Sequence, residues 1–254
     1  QLNLNDPSAL PSDYYRNFLV AHISEQASKN VQKDLMTGGK IETTRHAFDL
    51  VEANHNQPLV QNFLLYFFLN QHLKSKGIND AENLYHRFQE RVTDAGYRKE
   101  IDQEFEKWQP LLAGNPAPGF AYPDTDGKVF NLTDFQGKVV YIDVWATWCG
   151  PCKTEIPHLE KLQEDFESEP VAFLSISIDK NEAAWRKMLQ EKNMKGFQLI
   201  ADQAGNSKIC KDYKISGIPR FLLIDQSGKI VNVQADRPSS GRVAEEIRGL
   251  LGKG

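Results

Sequence analysis

Three cysteines in 254 residues are too few to staple a fold with disulfides, and no apolar run is long enough to cross a bilayer. The richest run, Leu59 to Leu69, is short and is interrupted by Gln61 and Asn62. A basic excess is also missing. The formal net charge is -4, which argues against a nucleic-acid partner and leaves proteins or small molecules. The six histidines show no metal-ligand spacing, and no repeat of constant period supports a solenoid. No signal-peptide pattern opens the sequence, yet the chain begins with Gln1 rather than Met. A leader or a longer N-terminal region is therefore expected to have been removed.

What remains is ordinary globular material, 40% hydrophobic and 25% charged, at a length that suggests two domains. Residues 1–112 read as a helical domain. Ser12 and Asp13 can cap a helix with Tyr15, Phe18, Leu19 and Ile23 at helical spacing, and Gly38 and Gly39 break the chain. A second helix is expected over 42–53, burying Ala47, Phe48, Leu50 and Val51. A third, over 58–74, is apolar on most sides and should be central to a bundle, with Pro58 in its first turn and Gly77 at its end. Asn79 or Asp80 starts a fourth, and Gly96 separates that from a last helix bearing Ile101, Phe105 and Trp108.

Leu111 to Pro123, rich in Gly and Pro, marks a boundary. Over residues 113–254 strands alternate with helices. Strands are expected near 129–130, 139–145, 171–178, 198–201, 221–225 and 230–233. Helices are expected near 151–166, 181–192 and 205–213, with a last one capped by Ser239 or Ser240. The pattern means an α/β sandwich following an all-α domain.

The segment Val144-Trp145-Ala146-Thr147-Trp148-Cys149-Gly150-Pro151-Cys152 ends a strand and opens a helix. A sulfur at a helix N-terminus meets unpaired backbone N–H groups and the positive end of the helix dipole, both of which favour thiolate. Cys149 is therefore read as the attacking sulfur, and Cys152, one turn on, as the one that resolves the mixed disulfide. This reading needs an accessible sulfur at position 149 and a helix after position 150. A zinc site competes poorly, because only Cys210 remains as a further cysteine and structural zinc wants four ligands. Cys210 itself reads as a small buried hydrophobe.

Trp148-Cys149-Gly150-Pro151-Cys152-Lys153 resembles the thioredoxin active-site sequence. The longer run from Trp145, followed by Glu155 and Pro157, resembles the TlpA/ResA-like branch of that superfamily, over about residues 115–254. The resemblance implies a thioredoxin-like fold, dithiol–disulfide exchange with protein substrates, no organic cofactor, and a membrane or thioredoxin-like electron donor. It also implies a periplasmic or otherwise exported protein, tethered or free. Gly217-Ile218-Pro219 before the apolar Phe221–Asp225 matches the cis-proline loop, which in this family offers backbone groups to the substrate beside Trp148, Gly150 and Pro151. By resemblance the Ile218–Pro219 bond is cis. Trp145 is read as core.

Asp143 stands where thioredoxin has its buried acid, and Glu155 where ResA-like proteins have theirs; either could move the Cys152 proton. Glu155 has a second reading as a solvated helix residue. The lysine that pairs with the acid in thioredoxin has no counterpart, and Ser175 falls near its place. Arg220 departs from the family's usual threonine and either draws an acidic or carbonyl group of the substrate or reaches solvent. The Gly-Pro spacer implies a reductase rather than an oxidase. Rival readings are a thiol peroxidase, whose Pro-x-x-x-Thr-x-x-Cys loop is absent before Cys149, and a binding module with a vestigial dithiol.

Overall fold

A computed structural model describes residues 3–36, 43–78 and 80–252. The chain divides into two compact units, Gln1–Pro110 and Leu111–Gly254.

The first unit is built from α1 (Asp13–Met36), α2 (Thr43–Asn54), α3 (Pro58–Lys76), α4 (Ala81–Arg91) and α5 (Ala95–Trp108). α3 packs against α2, α4 and α5, the central place its apolar sequence predicts. Val60, Phe63, Leu64, Leu65, Leu69 and Leu73 are buried along it. Pro58 sits in its first turn, where a missing N–H costs nothing, and the Gln57 side chain accepts from Leu59 N and Val60 N. Gly77 ends the helix at φ 65°, and a Cβ there would come within 2.7 Å of the Trp108 ring. Only glycine fits both demands.

Two expectations change in this unit. Leu50 is half-buried rather than core, because Ala47, Phe48 and Val51 already fill the face that α2 turns inward. Gly96 lies within the first turn of α5 and separates nothing; Asp94 caps that helix by accepting from Tyr97 N at 2.9 Å. Val92 to Asp94 make the break instead. Gly38, Gly39, the proposed start at Glu42, and Asn79 lie outside the described residues.

The second unit holds a five-stranded sheet in the order β5-β4-β3-β6-β7, made of β3 (Val139–Trp145), β4 (Val171–Ser177), β5 (Phe197–Ile200), β6 (Arg220–Ile224) and β7 (Ile230–Asn232). β3 runs parallel to β4, and β4 to β5, whereas β6 is antiparallel to both β3 and β7. Helices α6 (Gly150–Asp165), α7 (Glu182–Lys192), α8 (Lys208–Asp212) and α9 (Arg242–Leu251) complete it, with a two-stranded ribbon, β1 (Ala121–Pro123) and β2 (Val129–Asn131). β3 is central and every one of its residues is buried, which is why it reads as a continuous apolar run broken only by Asp143. One core joins Val139, Tyr141, Phe173 and Phe221 of the sheet to Leu159 and Leu162 of α6 and to Val243 and Ile247 of α9.

Here too the structure corrects local readings. The 205–213 helix is two pieces, a 3-10 turn at Ala204–Asn206 and the short α8. The last helix starts after Gly241 at φ 75°, because Ser239 is engaged elsewhere. The Gly- and Pro-rich segment is more than a connector. Gly114 N donates to Ile230 O at 2.8 Å, Ile230 N to Asn115 O at 2.9 Å, and Ala117 N to Gly228 O at 3.0 Å. It thereby pairs with the outer edge of the sheet from Gly228 to Ile230, where β7 begins. Among the described residues no helix is long and apolar enough to cross a membrane.

Candidate active site

β3 delivers the chain to the C-terminal end of the sheet, and α6 begins at Gly150 after Ala146, Thr147, Trp148 and Cys149. Cys149 is the N-cap of α6, with extended backbone at φ -82° and ψ 100°. Its Sγ accepts from the Cys152 N–H at 3.1 Å, so one of the orphan donors of the first turn points at sulfur. Pro151 occupies that first turn, where no backbone donor is lost. Cys149 and Cys152 are joined as a disulfide, with an S–S length of 1.99 Å and Cα atoms 5.3 Å apart. Cys149 keeps 5% of its exposure and Cys152 2%, whereas Trp148 beside them is 66% exposed. Both cysteines are thus buried in the disulfide form, while Gly150 and Pro151 between them are exposed.

Thr147 is tied down by an acid that sequence reasoning passed over. Asp179, buried just beyond β4, accepts from Thr147 N at 2.8 Å and from Thr147 Oγ1 at 2.7 Å. Ser177 Oγ donates to the same carboxylate at 2.8 Å and accepts from Asp179 N at 3.0 Å. The available signal was an acid closing an apolar strand, at Ile178-Asp179.

The strand before the dithiol and the helix after it each bury one carboxylate, Asp143 and Glu155. Asp143 is buried in β3 between Ser175 of β4 and Phe221 of β6, and its Oδ1 finds no hydrogen-bond partner among the described residues. Ser175 Oγ is likewise unpartnered, so the serine stands in register with the acid without serving it. Desolvation, and then the charge of Glu155, push the Asp143 carboxyl up to about 8. Glu155 is buried on α6, which removes the solvated reading of it. Its Oε2 accepts from Ser239 N at 3.0 Å and its Oε1 from Ser239 Oγ at 2.9 Å, with Arg237 Nη1 3.9 Å away. The two acids thus differ: one is supplied with donors and the other is bare.

The Ile218–Pro219 bond is cis, and Arg220 opens β6 opposite Val144 of β3. Trp145 is buried, as its core reading requires, and so is the free Cys210. Among the described residues no group of three or more His, Cys, Asp or Glu side chains is placed to hold a metal ion.

A mixed sheet with a Cys-x-x-Cys disulfide at the N-terminus of the helix that follows its central strand, and a cis-proline directly before the strand antiparallel to that one, defines a thioredoxin-fold dithiol–disulfide protein. Residues 112–247 match the redoxin family. The thiol-disulfide oxidoreductase ResA of Bacillus cereus is 32% identical over 146 residues, covering 58% of this chain and 83% of that protein. ResA of Bacillus subtilis is 31% identical over 125 residues, covering 49% and 68%. The crystal structure of the thioredoxin domain of a thiol-disulfide oxidoreductase from Bacteroides vulgatus aligns with a TM-score of 0.50 at 29% identity, covering 54% of this chain and 97% of that one. The chain belongs to the redoxin family, in its ResA/TlpA-like group, and is a thiol-disulfide oxidoreductase.

Proposed function

We propose that the protein reduces disulfides in exported protein substrates, with Cys149 as nucleophile and Cys152 as resolving thiol. In the reduced protein, the Cys149 thiolate attacks one sulfur of a substrate disulfide. A mixed disulfide forms, and the other substrate sulfur leaves as a thiolate that takes up a proton. Cys152 then loses its proton and attacks Cys149 Sγ. The second substrate thiol is released and the Cys149–Cys152 disulfide is left, two electrons having passed to substrate. A dithiol donor, either a membrane protein or a thioredoxin-like one, returns two electrons to close the cycle.

The observation that carries this reading is the placement of Cys149 Sγ as acceptor of the α6 N-terminus, bonded to Cys152 one turn on. Asp143 supports the proton step, since a bare carboxyl held near 8 can take and return a proton at neutral pH. Glu155, whose two oxygens both accept from Ser239, is the second acid of the site in this reading. Trp148, Gly150, Pro151, Ile218, Pro219 and Arg220 make the substrate platform in this reading. The Gly-Pro spacer supports the reducing direction. The same reading takes residues 1–112 and 113–254 as separate domains, supported by the two compact units. Export, free or tethered, follows the resemblance to the ResA-like group.

Insulin reduction by the full chain beside Cys149→Ser tests the chemistry. The parent is expected to precipitate insulin chains with dithiothreitol as donor, and the variant to fall to background; equal activity removes the reading. Equilibration with glutathione tests direction, a strongly oxidising potential being the adverse result.

A further inference from the structure

Arg220 is the first residue of β6, directly after Pro219 and in register with Val144 near the end of β3. Strand alternation turns Phe221 toward the face that holds Asp143 and α6, and Arg220 toward the other. The guanidinium is half-buried. Among the described residues it has no hydrogen-bond acceptor, carboxylate or aromatic ring against it. Burial lowers its pKa and no acidic side chain offsets that. An Arg carries five donors in a planar fork matched to a carboxylate, and holding it partly out of water without an acceptor costs free energy. Other arginines of the same unit are served: Arg242 reaches Asp236, and Arg186 reaches Glu182 and Thr125 O. Among the described residues the protein gives Arg220 no acceptor, and Arg220 directly follows the cis Ile218–Pro219 bond, in the loop that the reading above assigns to the substrate.

We propose that Arg220 is a carboxylate receptor, by which the enzyme selects disulfide substrates carrying an aspartate or glutamate close to the reacting cysteine. This rests on the dithiol reading above and adds the substrate class. The preference is a contact effect rather than long-range steering, because the whole chain carries a net charge of -4 and repels acidic partners at a distance. It therefore persists at physiological salt, where charges beyond roughly 8 Å are screened.

The test uses pre-reduced full-length protein and three disulfide-linked peptides that differ only by Glu, Gln or Lys beside the cysteine, in single turnover at physiological salt. The parent is expected to reduce the Glu peptide about tenfold or more faster than the Gln peptide, the yield of one charge-assisted hydrogen bond, and the Lys peptide slowest. Arg220→Gln should bring the Glu/Gln ratio close to one. Arg220→Lys should leave it intermediate, since an ammonium lacks the fork. Equal rates for all three peptides with the parent overturn the proposal without need of any variant, as does an unchanged ratio in folded Arg220→Gln. If the parent reduces none of the peptides, the oxidoreductase reading fails instead, and the two failures are distinct.

Discussion

At the scale of single residues, Asp143 makes the sharpest demand. Its carboxyl is raised from 3.8 to about 8 in the folded protein. Between those values the folded state holds a proton that the unfolded state has released. Stability therefore falls as pH rises across that window, and the loss is complete above it. Asp143→Asn is expected to flatten the slope and to raise stability at pH 8 by at least ~1 kcal/mol, the size of one pKa unit. Urea midpoints from pH 5 to pH 9 check this, and parallel parent and variant curves would refute it. The same substitution is expected to slow insulin reduction about 100-fold, the low end for general acid–base catalysis, and to remove an inflection near the Asp143 value. Asp179 acts differently. Asp179→Ala leaves Thr147 without acceptors and should lower turnover about tenfold, at a stability cost of roughly 1–3 kcal/mol for the lost hydrogen bonds. Asp179→Asn, which keeps an acceptor, should recover part of the rate. Equal defects in both variants would reduce the role to packing.

At the scale of elements, strength of pattern decided what could be read from the sequence. β3, β4 and α6 were legible because a buried strand and a strand-to-helix turn leave largely apolar runs and a Cys-Gly-Pro-Cys signature. α8 and the start of α9 were not, since a five-residue helix has no periodicity and Ser239 serves a carboxylate 84 residues away. Asp143 and Glu155, both buried, were singled out through the resemblance, by the places where the family has its acids. Asp179 was not, because its partner Thr147 lies 32 residues back and only folding joins them. Gly77 gives an element-scale prediction. Its left-handed φ opposes a side chain, and so does the Trp108 ring, 2.7 Å from where a methyl group would stand. Gly77→Ala should destabilise the helical unit by roughly 1–3 kcal/mol, seen as an earlier melting transition with insulin reduction intact below it.

At the scale of the whole molecule, the family match over residues 112–247 and the complete hydrogen-bonded sheet fall within one compact unit. A fragment of residues 111–254 is therefore expected to fold and to reduce insulin without the helical unit. A fragment beginning at residue 119 loses the bonds from Gly114, Asn115 and Ala117 to the β7 edge. It should melt earlier and aggregate through that exposed strand. Comparable melting of the two fragments would show the edge cover to be dispensable.

The bond between Ser239 and Glu155 reaches beyond catalysis. It fastens the turn that leads into the C-terminal helix to a buried acid of the helix that opens at the cysteines, so a lesion in that C-terminal helix, although remote along the chain, would register as a chemical defect. Variants of this protein that lose activity while keeping both cysteines are to be sought there, and a screen confined to the Cys-Gly-Pro-Cys neighbourhood would overlook them.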